Sequence, residues 1–100
     1  MVATSHLTTP YRGAPIDLAL LRGEIEAVVG PLTGRGLAKR EVAGRALEAI
    51  ILRDHLGWTG DLISQRLYVS IPEVNYLVRR YRDIWAGEAQ KIFNKLLLSA

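Results

Sequence analysis

The residues that decide the fold are LGWTGDLISQRLYVSIPEVNYLVRRYR, which run from Leu56 to Arg82. They predict two short helices joined by a tight turn. The first helix is expected over Thr59–Leu67, because the Thr59 side chain can cap its N-terminus and the apolar residues that follow recur at helical spacing. The other segments of the chain are therefore interpreted as support for this pair of helices.

The second helix is expected over Ser70–Trp85, and its start is marked by the sequence SIPE at residues 70–73. These residues form a capping box, in which the Ser70 hydroxyl can accept from the Glu73 N–H and the Glu73 carboxylate can accept from the Ser70 N–H. Pro72 lies in the first turn, where no intrahelical donor is lost. Two amphipathic helices separated by Tyr68-Val69 have the form of a helix-turn-helix.

The same stretch resembles the helix-turn-helix DNA-binding domains of small phage and bacterial transcriptional regulators. The resemblance is carried by Trp58-Thr59, Leu62-Ile63-Ser64, Leu67, Val69-Ser70, Val74 and Leu77. It implies that Ser64 is the small residue at which the two helices cross. It also implies that Val69, Val74 and Leu77 belong to the core. The helix that begins at Ser70 would then be the recognition helix, which lies in the major groove of DNA.

One residue in the turn departs from this pattern. The family usually has Gly where this chain has Tyr68. A Tyr at that position must either adopt the left-handed conformation, at a cost of about 1 kcal/mol or more, or reshape the turn.

Two helices are expected before the motif and one after it. The first covers Pro15–Val29, and a glycine-rich connector then leads to a long helix over Leu37–Leu56, which Gly57 ends in a left-handed conformation. The last covers Asp83–Ala100, and Gly87 predicts a bend that separates it from the recognition helix. On the long helix, the charged residues expected on the solvent side are Lys39, Arg40, Glu41, Arg45 and Glu48.

These patterns predict an all-α fold. It consists of a helix-turn-helix three-helix core, made of Leu37–Leu56, Thr59–Leu67 and Ser70–Trp85, with an additional N-terminal helix and an additional C-terminal helix. Residues 1–14 mix Thr, Ser, Pro and Gly without periodicity and are expected to form a flexible N-terminal arm. Residues 15–100 are expected to form a single helical domain, with the helix-turn-helix at about 59–82.

The composition fits a small protein with a polyanionic partner. The chain has 100 residues, is 49% hydrophobic, carries a net charge of +3 and contains no cysteine. A modest basic excess suits nucleic acid, although many proteins with no such partner are equally basic. The absence of cysteine is consistent with a reducing cytoplasm, and no apolar run approaches the roughly 20 residues that span a bilayer. We therefore expect a cytoplasmic protein without a membrane partner.

The sequence does not predict an enzyme. The two histidines, His6 and His55, are far apart and belong to no metal-ligand spacing. His55 is expected at a helix end, in a capping or solvated role in which an imidazolium complements the helix dipole. We therefore assign no catalytic residue, no metal ligand and no cofactor.

DNA contact explains more of the unusual residues. The residues expected to contact bases are Ile71, Asn75, Tyr76 and Arg79. Asn75 can read adenine, Arg79 can read guanine or bind phosphate, and Ile71 can contact a thymine methyl, while Tyr76 can also donate to a phosphate. The residues expected to contact the DNA backbone are Lys39, Arg40, Arg66, Ser70, Arg80 and Arg82. The alternative is that the arginines near residue 80 are simply the solvated face of a helix.

The apolar face of the last helix is a possible dimer or docking face. It is formed by Trp85, Ile92, Phe93, Leu96 and Leu97, and it either packs on the chain's own core or covers a second copy or another protein. The predicted function is sequence-specific binding of double-stranded DNA by a homodimeric transcriptional regulator. Two alternatives remain open: a protein–protein interaction module that docks through this face, and an accessory factor for DNA packaging or recombination.

Overall fold

The computed structural model describes residues 16–30 and 36–99, without the side chains of Leu37 and Ser99. In this part of the chain the fold is all-α, as predicted. The helices are α1 (Leu18–Val29), α2 (Leu37–Ile50), α3 (Gly60–Leu67) and α4 (Ile71–Ser99). A π-helical segment, Ile51–His55, continues α2 and is called the π turn below. The predicted N-terminal arm, 1–14, lies outside the described residues.

Helix α1 begins at Leu18, three residues later than the start predicted at Pro15. The Asp17 carboxylate caps it, accepting from the N–H groups of Ala19 at 2.9 Å and Leu20 at 3.3 Å. An aspartate in this position satisfies backbone donors that have no partner inside the helix.

The helix predicted over Leu37–Leu56 changes geometry in its last turn. The Leu56 N–H donates to the Ile51 carbonyl at 3.1 Å, and the Trp58 N–H donates to the Leu52 carbonyl at 2.9 Å. The first of these bonds spans five residues, where a regular α-helix spans four. Gly57, with φ 73°, then ends the segment in the left-handed conformation, as predicted.

Helix α3 has the ends that the sequence predicts. The Thr59 hydroxyl accepts from the Leu62 N–H at 3.2 Å. At the other end Tyr68 adopts the left-handed conformation, with φ 58° and ψ 42°. Of the two predicted outcomes, a left-handed Tyr68 or a reshaped turn, the structure therefore has the left-handed Tyr68. The Val69 N–H donates to the Ser64 carbonyl at 3.2 Å, and the Ser64 hydroxyl donates to the Val69 carbonyl.

Helix α4 begins with half of the predicted capping box. The Ser70 hydroxyl accepts from the Glu73 N–H at 3.2 Å. Among the described residues, no hydrogen bond joins the Glu73 carboxylate back to the Ser70 N–H. One side-chain cap is therefore sufficient at this helix start, where Pro72 also favours the first turn.

The predicted bend at Gly87 and the separate C-terminal helix are wrong. Helix α4 runs without interruption for 29 residues, from Ile71 to Ser99. A glycine inside a helix costs about 1 kcal/mol relative to alanine. Burial of Ile92 and Leu96 just beyond it contributes about 1.5–3 kcal/mol each, which is enough to continue the helix through the glycine.

The core lies between α4 and the other helices. Its largest fully buried side chains are Leu21, Ile25, Leu47, Ile50, Ile51, Leu52, Ile63, Val74 and Leu96. Val74 and Leu77 are buried as predicted, Val69 packs against the core, and Val78 is buried beside Leu77. In the described ranges, no helix combines the length and the apolarity that crossing a bilayer requires.

Candidate nucleic-acid interface

The first turns of α4 present an exposed polar and apolar face. Ile71 is 42% exposed and Tyr76 is 50% exposed, and Asn75 and Arg79 are exposed beside them. The opposite side of the same turns is fully packed, because Val74 is completely buried. The helix is therefore held from behind, while its outer side is free to meet a partner.

The turn before α4 sets where this face begins. Tyr68 ends α3 and is 93% exposed, so its ring contributes almost nothing to the core. The two bonds between Ser64 and Val69 close the turn, and the Ser70 cap then starts α4. These three contacts fix the direction of α4 relative to α3.

The cations predicted to contact the DNA backbone differ in the contacts that they make within the chain. Lys39 is exposed, and it has no ion pair among the described residues. The Arg80 guanidinium lies 5.5 Å from the centre of the Tyr81 ring. Arg82 donates to both carboxylate oxygens of Asp54 at 2.8 Å, and this hydrogen bonding raises the arginine's pKa above its ordinary value. All three side chains still reach solvent.

Arg66 and Arg40 are engaged with other parts of the chain. The Arg66 guanidinium donates to the Glu48 carboxylate and, at 3.4 Å, to the Leu18 carbonyl. Arg40 lies close to Gly30 and Gly36, because a Cβ atom added to either would come within 2.8 Å of its Cδ or 2.9 Å of its Nη1, respectively. Both side chains thus have contacts within the chain.

The structure places Glu48 in the interior, so its predicted position on the solvent side is wrong. Its side chain is 3% exposed. It accepts two bonds from Arg22 of α1, at 2.9 and 3.1 Å, and another from Arg66 of α3. The signal in the sequence is that Glu48 is the only charged residue in the run ALEAIIL at 46–52, all of which is buried. A charge inside such a run needs partners, and two arginines from other helices supply them.

A groove of about 220 Å³ lies beside this cluster, between α1, α2 and the end of α3. It is lined by Arg22, Ile25, Glu41, Gly44, Arg45, Glu48, Arg66, Leu67 and Tyr68. Glu48 pairs with Arg22 and Arg66, and together with Glu41 it sets two negative charges against the three arginines of the lining. Arg45 has no ion pair among the described residues, and the groove therefore has little net charge with which to hold a strongly anionic ligand.

His55 lies at a helix end as predicted, but it is partly buried and packed against another ring. Its ring stacks on Phe93, with centroids 4.9 Å apart and an angle of 25° between the planes. Burial lowers the pKa of His55 below its ordinary value of 6.5, although the adjacent Asp54 opposes that shift. The ring is thus a neutral packing element at pH 7. The described residues contain no cluster of three or more His, Cys, Asp or Glu side chains that could hold a metal ion.

The predicted docking face is largely occupied by the chain itself. Ile92 and Leu96 are buried, and Trp85 and Phe93 pack against the core. Of this set, only Leu97 is exposed. The large apolar side chains that α4 exposes beyond its first turns are instead Ile84, Leu97 and Leu98.

Comparison with known proteins gave no match: no protein-family model, no curated protein and no solved structure is significantly similar to this chain.

Proposed function

We propose that this chain binds double-stranded DNA through the first turns of α4, with α3 and α4 acting as a helix-turn-helix. The observation that carries the proposal is the exposed face of Ile71, Asn75, Tyr76 and Arg79, which follows directly on a closed turn and is packed from behind. An α-helix presented in this way fits the major groove of B-DNA, which is about 12 Å wide.

The side chains on this face have complementary chemistry for base edges. Asn75 can donate to and accept from an adenine, and Arg79 can donate two bonds to a guanine. Ile71 can pack against a thymine methyl group. Among the described residues, neither Asn75 nor Arg79 has a side-chain partner, so neither needs to break a contact within the protein before it binds.

Contacts to the DNA backbone are assigned to exposed residues around this face. Ser70, Arg80 and Arg82 lie on α4 or at its cap, and Lys39 lies near the start of α2. Such contacts give affinity that depends on salt, and they carry no sequence information. Arg66 and Arg40 are left out, because their side chains are used inside the protein.

The proposal extends to a homodimeric transcriptional regulator. A dimer with twofold symmetry would read an inverted repeat, with half-sites about 34 Å apart, or one helical turn. The exposed apolar side chains beyond the first turns of α4, above all Leu98 at 88% exposed and Ile84 at 58%, are available to such an interface. The mass of the protein in solution, with and without DNA, tests this part separately and also distinguishes a dimer from a larger packaging assembly.

The test is binding to random and selected duplexes over about 50–200 mM salt, for the wild type and for the double variant Arg79→Glu with Arg80→Glu. The matched control is Lys91→Glu with Lys95→Glu, which makes the same charge change on the same helix but far from the proposed face. We expect the first pair to lower affinity by about 100-fold or more and the control to lower it much less.

Two results would overturn the proposal. One is no binding by the folded wild type at about 50 mM salt, where phosphate contacts are strongest. The other is an equal loss of affinity in both charge-reversed pairs, because the position of the charges would then not matter.

A protein-interaction module is the second candidate, and the exposure of Ile84 and Leu98 favours it. That function predicts that partner binding survives Arg79→Glu with Arg80→Glu. It also predicts that Ile84→Ser with Leu98→Ser abolishes partner binding.

A further inference from the structure

Arg53 is a cation that the sequence analysis did not assign to any site. It lies in the π turn and extends across the first turn of α3. A Cβ atom added to Gly60 would come within 2.8 Å of the Arg53 Nη2 atom and within 3.6 Å of a methyl carbon of Ile71. The guanidinium therefore lies next to the start of α4, at the edge of the proposed base-facing side.

The Arg53 side chain has no partner in the part of the chain that the structure describes. Its Nε atom is buried without a hydrogen bond. The adjacent carboxylate, that of Asp54, is held by Arg82 through two bonds. A buried donor without a partner is uncommon in folded proteins and calls for an explanation, because its desolvation is not compensated.

Only the inner end of the guanidinium is enclosed. Arg53 as a whole is partly buried, and Nε is its one nitrogen that is both buried and unpaired. The two Nη atoms are accordingly not fully enclosed. A side chain held by its stem, with its terminal donors open, is suited to a fixed anion outside the protein.

We propose that Arg53 binds a phosphate of the DNA backbone beside the base pairs that α4 contacts. This inference rests on the proposed function and adds to it a contact that comes from outside the helix-turn-helix. The terminal donors of the guanidinium match the oxygens of a phosphate group. They lie beside Ile71 and not on the outer side of α4, so they suit the DNA backbone better than the edge of a base.

Gly60 is the residue that permits this arrangement. It occupies the first position of α3, where alanine would favour the helix more than glycine does. A Cβ atom at 2.8 Å from Nη2 is closer than packed atoms allow, so any side chain at residue 60 must displace the guanidinium. A glycine at residue 60 is explained if placing the Arg53 guanidinium is more important for function than the higher helix propensity of alanine.

The experiment is a double-mutant cycle on DNA binding, with Arg53→Ala, Gly60→Ala and the combination of both. Affinity is measured on matched and random duplexes across a salt series, and folding is checked by thermal unfolding. We expect Arg53→Ala to weaken binding about tenfold on both kinds of duplex and to reduce the salt slope by about one phosphate contact.

Gly60→Ala should weaken binding less than Arg53→Ala does, because the end of the flexible Arg53 side chain is displaced but its charge is kept. It should have no further effect when Arg53 is already alanine, because there is then no guanidinium to displace. The matched control is Arg45→Ala. Like Arg53, Arg45 is a partly buried arginine without an ion pair among the described residues, but it belongs to α2 and lines the groove. Its affinity and salt slope should equal those of the wild type.

The outcomes separate this inference from the function on which it rests. If the wild type binds and Arg53→Ala keeps the same affinity and salt slope, the contact is wrong and the helix-turn-helix function stands. If Gly60→Ala weakens binding equally with and without Arg53, the glycine has another role and the inference fails. Absence of binding by the wild type removes the function itself. Should Arg53→Ala not fold, Gly60→Ala and Arg53→Lys, which loses the guanidinium fork, provide the same test.

Discussion

The two halves of α4 differ in whether their exposed polar side chains have partners within the chain. In the C-terminal half, Asp83–Ser99, exposed polar groups pair with one another or with α1: Lys91 with Glu88 at 3.6 Å, Gln90 with Asn94 at 3.1 Å and Lys95 with Glu24 at 3.2 Å. In the N-terminal half, Ile71–Arg82, the described contacts leave Asn75, Tyr76 and Arg79 without side-chain partners. Two groups depart from this contrast: Arg82 in the N-terminal half pairs with Asp54, and the Trp85 indole N–H in the C-terminal half is buried without a partner among the described residues. The contrast therefore concerns the exposed side of the helix, whose donors and acceptors stay open at Asn75, Tyr76 and Arg79.

The largest expected effect comes from removing core packing in the C-terminal half. Leu96→Ala should lower the free energy of unfolding by about 2–5 kcal/mol, because Leu96 is fully enclosed and alanine leaves a cavity. Urea denaturation measures this loss. The control is Leu98→Ala, two residues away and exposed, which should change stability by less than about 0.5 kcal/mol. DNA affinity of the folded Leu96→Ala protein should equal that of the wild type; a specific loss would show that the halves are not independent.

The next effect is expected from Glu48, which supports the N-terminal half through α3. Glu48→Ala leaves Arg66 and Arg22 without their shared anion, and it should cost about 2–3 kcal/mol, at the low end for a broken buried pair because Arg22 is half exposed. DNA affinity of the folded protein should fall as well, since Arg66 no longer ties α3 to α2. Glu88→Ala breaks only an exposed pair and is the control for both measurements. Unchanged affinity in Glu48→Ala would mean that the cluster does not position the interface.

A smaller effect concerns pH and His55, which joins the π turn to Phe93 in the C-terminal half. Because burial lowers the pKa of folded His55 below 6.5, the unfolded chain binds the proton first as the pH falls. The contribution of His55 to the free energy of unfolding is therefore fully present above about pH 6.5. It decreases as the pH falls from there to the pKa of the folded state. His55→Phe keeps an aromatic ring against Phe93 and cannot titrate. We expect its urea midpoint to fall less than that of the wild type between pH 7.5 and 5.5; equal falls would contradict the assignment.

The smallest effect is expected at Gly87, in the C-terminal half close to where the two halves meet. Gly87→Ala should raise the free energy of unfolding by about 0.5–1 kcal/mol, because the residue is helical and exposed, and an added Cβ meets nothing within 4 Å. Thermal unfolding measures the gain. Gly57→Ala is the opposite control and should destabilise, since φ there is 73°. A loss of stability in Gly87→Ala would indicate that the helix bends at this point in solution.

The helix ends could be predicted from the sequence, because caps are made by residues close together in the chain. Thr59, Ser70 and Gly57 each perform the predicted role through a bond or a backbone angle set within a few residues. The continuity of α4 through Gly87 could not be predicted in this way. It depends on burial of residues further along the helix against other helices, which local propensity does not describe.

The side chains that the sequence analysis misjudged have partners far along the chain. Glu48 meets Arg22 from 26 residues before it and Arg66 from 18 residues after it. His55 meets Phe93 from the far end of α4. The position of Arg53 could not be predicted, because it depends on the π turn, which has no sequence signal of its own. By contrast, the inward residues of α4 were predictable, since their spacing alone places Val74, Leu77 and Val78 on one side.

The π turn has a consequence for the angular order of the residues around it. Each residue of an α-helix turns the chain by about 100°, and the bond from Leu56 to Ile51 encloses one residue more than a regular turn does. The residues after this loop are therefore rotated about the axis of α2 by roughly the angle of one residue, and Arg53 and Asp54, which lie inside it, by part of that angle. That rotation decides which side of the molecule Arg53 and Asp54 face, so the directions of two charged groups near α4 are set by the length of a single hydrogen-bonded loop.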